Sequence, residues 1–195
     1  AISLSEKRSK QHKLITNHPT REIHMSLPSI FLSALLLLAS TSAAATTETT
    51  LTTRNQHLFR YLFVDVYTAT LYAPSNSNLT GILDSGQPVR LTLQYHRSID
   101  RDDMIKAAQV TLERQHPASR LAQLQADIDQ LHTHFVDVSE GDTYSLARTA
   151  DGELQLYHNN QLSFSSKTPG LADAYLGIWL GQNGLSDDLR SALLR

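Results

Sequence analysis

The segment Leu58–Tyr72, LFRYLFVDVYTATLY, constrains the fold more than any other part of the chain. It is dense in β-branched and aromatic residues and meets no Gly or Pro until Pro74, which is the composition of a strand. One alternating set is Leu62, Val64, Val66, Thr68, Thr70 and Tyr72; the other is Tyr61, Phe63, Asp65, Tyr67, Ala69 and Leu71. Both sets are largely apolar, so the pattern predicts a strand covered on both faces. At roughly 3.3 Å per residue a straight strand of this length would span about 50 Å, which predicts a bend or bulge part-way. Arg60 and Asp65 lie inside it, and a charge among apolar neighbours needs a partner or a ligand. Arg60 therefore either emerges into solvent, pairs with another charge, or binds something.

The segment Val89–Arg97 alternates more cleanly, with Val89, Leu91, Leu93 and Tyr95 inward and Arg90, Thr92, Gln94 and His96 outward, a strand with one solvated face. Asp100 is placed to cap a helix from Arg101 carrying Met104, Ile105, Ala108 and Leu112 at helical spacing. Pro117, at a first helical position, opens a second helix with Leu121, Leu124, Ile128 and Leu131 on one stripe. Three short strands follow at Thr143–Arg148, Glu153–His158 and Gln161–Ser165, joined through Asp151-Gly152 and Asn159-Asn160, dipeptides that tolerate positive φ. Thr168-Pro169 reads as the start of a third helix whose face is Leu171, Ala174, Tyr175 and Ile178 and whose stop is Gly181. Ser186 caps a last short helix with Asp187-Asp188 at its positive end. No internal repeat or linker interrupts residues 46–195, and the order of elements predicts one α+β domain built on an antiparallel meander.

Ahead of that domain stand two further segments. Residues 1–24 carry Lys7, Arg8, Lys10, Lys13 and Arg21 without apolar periodicity; they are either sequence upstream of a start at Met25 or a long basic n-region. Residues 25–45 combine that basic flank with an apolar stretch from Ile30 to Ala39 and end in Ala43-Ala44-Ala45, the three parts of a secretory signal peptide. The expectation is cleavage near Ala45 and a periplasmic or secreted protein. The apolar stretch is short of the roughly 20 residues a membrane-spanning helix needs, so no span is expected once the leader is removed.

The remaining 150 residues hold 12 Lys+Arg against 17 Asp+Glu, a formal charge of −5. That balance argues against nucleic acid as a partner. With no Cys in the chain, thiol nucleophiles, disulfides and thiolate metal sites are excluded. There is no G-x-S-x-G and no Gly-rich phosphate loop. His132-x-His134 lacks a third ligand at motif spacing and is better read as surface histidines, while Asp102-Asp103, adjacent on a helix, suit its positive end rather than paired acid–base work. No metal and no cofactor are expected. Arg97, at the end of a strand, is either a pocket rim or a solvated terminus. Tyr61, Tyr67, Tyr72, Tyr95 and Tyr175 can serve as amphipathic walls of a pocket or as core.

The order VDVYTATLYAP, LTLQYHRSI before a helix pair, GDTYSL with a hairpin, and ADAYLGIWLG followed by LRSALL resembles the bacterial chalcone isomerase-like family over about residues 56–195. The resemblance implies the chalcone isomerase fold: a large antiparallel sheet with helices packed on one face and a ligand cleft between the layers. In the plant enzymes an Arg stabilises developing negative charge while Thr, Tyr and Asn organise water and substrate. The catalytic Thr position falls here on Tyr67 and the Thr of the C-terminal helix near Ile178, while the Tyr and Asn of the first helix have no counterpart between Arg101 and Gln115. The Arg matches either Arg54 or Arg60. Non-enzymatic relatives hold a fatty-acid carboxylate with an Arg and a Tyr at the cleft mouth. The resemblance thus implies a protein that binds a small apolar or amphipathic molecule, of fatty-acid or aromatic-acid type, with Arg60, Tyr67, Tyr72, Arg97 and Arg54 as candidate ligand-binding residues. The alternative is an intramolecular lyase (isomerase) acting on a flavonoid-like substrate.

Overall fold

The computed structural model describes residues 50–195; the basic segment and the signal-peptide reading fall outside the described residues. The long apolar run is a hairpin rather than one strand. β1 (Thr52–Tyr61) and β2 (Val64–Ala73) pair antiparallel across a two-residue turn at Leu62-Phe63. Both turn residues take positive φ, 47° and 68°, which reverses the chain where a bend was expected. The expected irregularity is also present, as register shifts at Thr53/Asn55 and Phe59/Arg60.

Four more strands complete a six-stranded antiparallel meander in sequence order: β3 (Val89–Tyr95), β4 (Thr143–Arg148), β5 (Leu154–His158) and β6 (Gln161–Ser166). The inward set of β3, Val89, Leu91, Leu93 and Tyr95, is buried as its alternation predicts. On β2 the inner face, Tyr67, Ala69, Leu71 and Ala73, is buried, while on the opposite face Thr70 is buried and Thr68 and Tyr72 are half-buried. That face is polar along neighbouring strands, where Thr92 and Ser145 share a hydrogen bond of 2.8 Å and Gln56 reaches Thr70 at 3.0 Å. Among the described residues the expectation of cover on both sides of the strand therefore gives way to a sheet with one packed face.

That packed face carries the helices α1 (Arg101–Gln115), α2 (Ala118–Thr133), α3 (Leu171–Leu180) and α4 (Asp187–Leu193). Pro117 sits one position ahead of α2, as its cap. Thr168-Pro169 forms the turn before α3, whose cap is Gly170 at φ 80°. α3 is buried on nearly every side, Asp173 excepted, which makes it a core helix rather than the one-faced helix expected. Tyr175, Leu176 and Ile178 lose all contact with water, and each such side chain contributes about 1.5–3 kcal/mol. Gly181 ends the helix because nothing larger fits: a Cβ there would lie 2.7 Å from the Gly177 carbonyl oxygen. The Gln115 amide binds that same carbonyl at 2.7 Å and so ties α1 to α3. Ser186 caps α4 by accepting from the Leu189 N–H at 3.2 Å.

The far end of the sheet is closed by Arg148, whose side chain is 3% exposed. It points into the packed layer with Tyr144 and Leu146 of the same strand. Its guanidinium donates to the carbonyls of Ile82 (2.6 Å), Leu83 (2.7 Å) and Gln87 (2.7 Å), and it pairs with Asp173 of α3. A buried cation with this many acceptors is satisfied, and it clasps the 74–88 connection and α3 to the sheet.

Candidate functional site

Between sheet and helices lies a cavity of about 170 Å³. The alternation of β2, β3 and β4 puts Tyr67, Tyr95 and Tyr144 on its floor, while α3, uncharged except at Asp173, supplies Tyr175, Ile178 and Trp179 as its roof. Met104 and Ala108 of α1 form a wall. Among the lining residues, Phe59, Val66, Ile99, Asp103, Met104 and Ala107 remain partly or fully exposed and mark the mouth, between the base of the β1–β2 hairpin and the start of α1.

Aromatic rings run inward from that mouth. Phe59 stacks on Tyr67 at 4.9 Å, Tyr67 meets Tyr95 edge-on at 5.8 Å, and Tyr95 meets Tyr144 at 6.4 Å. The ring edges and faces suit each other at these separations and angles. Each hydroxyl finds a different partner. The Tyr67 oxygen accepts from Trp179 Nε1–H at 3.1 Å, so its own proton stays free to be donated into the cavity. Tyr95 donates to the Met104 sulfur at 3.5 Å, a weak acceptor that a ligand oxygen would outcompete. Tyr144 accepts from the Val136 N–H at 2.9 Å, and Tyr175 shares a hydrogen bond of 3.0 Å with His132 Nε2.

Burial raises the pKa of Tyr67, Tyr95, Tyr144 and Tyr175 above the ordinary phenol value, chiefly because the phenolate would lose its water. The lining phenols are therefore neutral donors at physiological pH. His132 is buried behind Tyr175, and desolvation holds its pKa below the ordinary imidazole value, so the ring is neutral. The expectation of surface histidines fails for His132 and holds for His134, which is exposed. No group of three or more His, Asp or Glu suited to a metal occurs among the described residues.

Of the five candidate ligand-binding residues, Tyr67 lines the cavity. Arg60 lies outside it, paired with Asp65 at 2.6 Å, both half or more exposed. Arg54 is at the opposite end of the sheet, bonded to the Pro74 carbonyl at 2.5 Å and the Ser77 carbonyl at 3.3 Å. Tyr72 is on the open face beside Arg90, and Arg97 is exposed just beyond β3. Of the tyrosines read as walls, Tyr67, Tyr95 and Tyr175 line the cavity, whereas Tyr61 stands exposed at the hairpin turn. Ile178, near which the resemblance puts the Thr of the C-terminal helix, lines it too.

Sequence reasoning missed Tyr144, Trp179, Phe59 and Asp103 as lining and His132 as a buried support. Tyr144 carried a usable signal, since it shares the parity of Leu146 on a short strand. For Trp179 the signal was α3 itself, whose one charged residue is Asp173. Asp103, the charged residue of the lining, was recognisable only once the helix start was known to border the mouth.

Comparison with known proteins agrees with this architecture. A family described as chalcone isomerase-like matches residues 38–195. The crystal structure of a fatty-acid binding protein of Arabidopsis thaliana superposes with a TM-score of 0.54 at 14% identity, over 75% of this chain and 85% of that one, a likeness of fold. No curated protein sequence matches the chain at a significant level. With its family match over most of its length and the antiparallel sheet, single helical layer and intervening cavity all in place, the chain belongs to the chalcone isomerase-like family.

Proposed function

We propose that this protein is a non-catalytic binder of a small apolar or amphipathic molecule, held in the cavity between sheet and helices. The observation that carries the proposal is an apolar chamber whose buried hydroxyls are neutral phenols, with one proton, that of Tyr67, left without a protein acceptor. Such a chamber takes an apolar body and fixes its orientation through one oxygen. Asp103, the charged side chain in the lining, does not stabilise a developing oxyanion, which weighs toward binding rather than ring closure.

Size narrows the ligand. An apolar cavity of about 150 Å³ admits a molecule such as benzene. The chamber thus has room for one aromatic ring or a short chain, with the rest of a longer amphiphile leaving through the mouth. A fatty-acid or aromatic-acid ligand would present one carboxyl oxygen to the Tyr67 hydroxyl and pack its apolar part against the aromatic lining. The fold neighbour that binds fatty acids supports the same ligand class. We further propose export, supported by the basic flank, apolar stretch and Ala-rich end of residues 1–45. Mass analysis of the protein recovered outside the cytoplasm should then place its first residue near Thr46.

The test uses Trp179, the one tryptophan of the chain, which hydrogen-bonds Tyr67. Titration with aromatic acids and with alkanoic acids of increasing length should shift Trp179 emission saturably, and native mass spectrometry should show one molecule bound. Tyr67→Phe keeps the ring and removes the donor; affinity should fall by about threefold to tenfold, the worth of one net hydrogen bond. Emission unchanged by every acid tried, together with no extractable molecule, would overturn the proposal.

A further inference from the structure

The β1–β2 turn is the most apolar exposed surface among the described residues. Phe63 is 100% exposed, Leu62 74%, Tyr61 64% and Val64 43%, four consecutive exposed large side chains. β3 stops pairing with β2 at Tyr67↔Tyr95, so the rungs Arg60↔Asp65 and Tyr61↔Val64 project beyond the third strand. Leu62 and Phe63 both hold the left-handed backbone that favours Gly or Asn, so local backbone preference does not account for these residues. The base of the same hairpin, Phe59 and Val66, forms one side of the cavity mouth.

We propose that the hairpin tip inserts into the surface of a phospholipid bilayer, placing the cavity mouth at the lipid boundary. Four contiguous residues at a convex tip fall far short of the roughly 20–30 residues a side that a stable protein interface employs. A bilayer needs no matching shape, only an apolar prong with amphipathic flanks: Tyr61 and the Arg60–Asp65 pair would sit at head-group depth, Leu62 and Phe63 below it. Charge plays little part. Arg60 is paired with Asp65 and Arg101 with Asp102, and the exposed Arg97 is outweighed by the exposed Asp100 and Asp103, so this end offers anionic lipid no net attraction. On the hairpin side of the mouth Val66 and Phe59 are apolar, and an apolar ligand leaving lipid would enter the aromatic chamber along that side. That last step rests on the binding reading above; the insertion itself does not.

The chain has no cysteine, so Phe63→Cys accepts a single environment-sensitive dye, and Ser75→Cys labels the exposed connection at the opposite end of the sheet. On adding phosphatidylcholine vesicles, the dye at 63 should shift to the blue and brighten severalfold while the dye at 75 stays unchanged. Raising salt to about 0.5 M should leave the signal in place, because screening acts on charge alone. Leu62→Cys gives a second labelled site with the same expectation. No shift at 62 or 63, an equal shift at 75, or a shift that needs no vesicles and grows with protein concentration would each overturn the proposal, the last pointing to self-association. Trp179 titration on the same labelled protein separates the two ideas. A ligand response without a vesicle shift sinks insertion alone, and the reverse sinks the binding reading alone.

Discussion

The two ends of the sheet are finished by opposite chemistry. At the end bearing Arg148, one buried cation satisfies the carbonyls of Ile82, Leu83 and Gln87 and pairs with Asp173, locking a long connection and a helix in place. At the mouth end, the β1–β2 hairpin stops in exposed hydrocarbon on a disfavoured backbone. The β5–β6 hairpin at that same end makes the contrast sharper. Its turn residues, Asn159 and Asn160, have φ of 47° and 66°, nearly the angles of Leu62 and Phe63, yet they are the residue type such a turn prefers. One backbone geometry is thus built twice, once to suit the turn and once with side chains that suit only what lies outside it. Side-chain clamping of the backbone is concentrated at the closed end, and exposed hydrocarbon and the cavity mouth at the open one.

The comparison breaks first if Arg148 proves dispensable. Arg148→Met leaves several buried carbonyls without a donor and Asp173 without its partner, and should cost about 3 kcal/mol or more in urea unfolding. A loss under about 1 kcal/mol would show that the closed end is not where the sheet is secured.

The hairpin tip should respond with the opposite sign. Replacing Leu62 and Phe63 together by Asn and Gly relieves two left-handed residues, and should stabilise the protein by about 1–2 kcal/mol while removing the apolar tip. Unfolding midpoints measure the gain. Unchanged or reduced stability would mean that Leu62 and Phe63 make folded-state contacts beyond the turn.

The smallest effect is expected at Arg60. Its pair with Asp65 is short but exposed on both sides, so Arg60→Ala should change stability by less than about 1 kcal/mol. Affinity for a cavity ligand, read at Trp179, should also be unchanged, since Arg60 does not line the chamber. A tenfold loss of affinity would move the charged anchor back to Arg60 and redraw the mouth.

Features governed by near neighbours in the chain were legible in the sequence. The alternation of β3 placed Val89, Leu91, Leu93 and Tyr95 in the core because a strand assigns faces by parity alone. Ser186 as a cap, Gly181 as a stop and Asn159-Asn160 as a turn followed from hydrogen bonds and φ angles within a few residues. The resemblance carried over the sheet with helices on one face, and Tyr67 of the candidate site, which sits where the parity of β2 turns it inward.

Only the tertiary structure decided the rest. Leu62-Phe63 carries no turn signal, and a continuous apolar run is compatible with one long strand or with two; pairing β1 against β2 selected the hairpin and left Leu62 and Phe63 outside. His132 looked like a surface residue until α3 brought Tyr175 within 3.0 Å of it. The mouth likewise depends on where the start of α1 comes to rest beside the hairpin base. Sequence determined the elements and their inward faces, because those depend on bond geometry and local periodicity. Tertiary packing determined the cavity, its free hydroxyl and its exposed lip, because these arise only where distant segments meet or fail to meet.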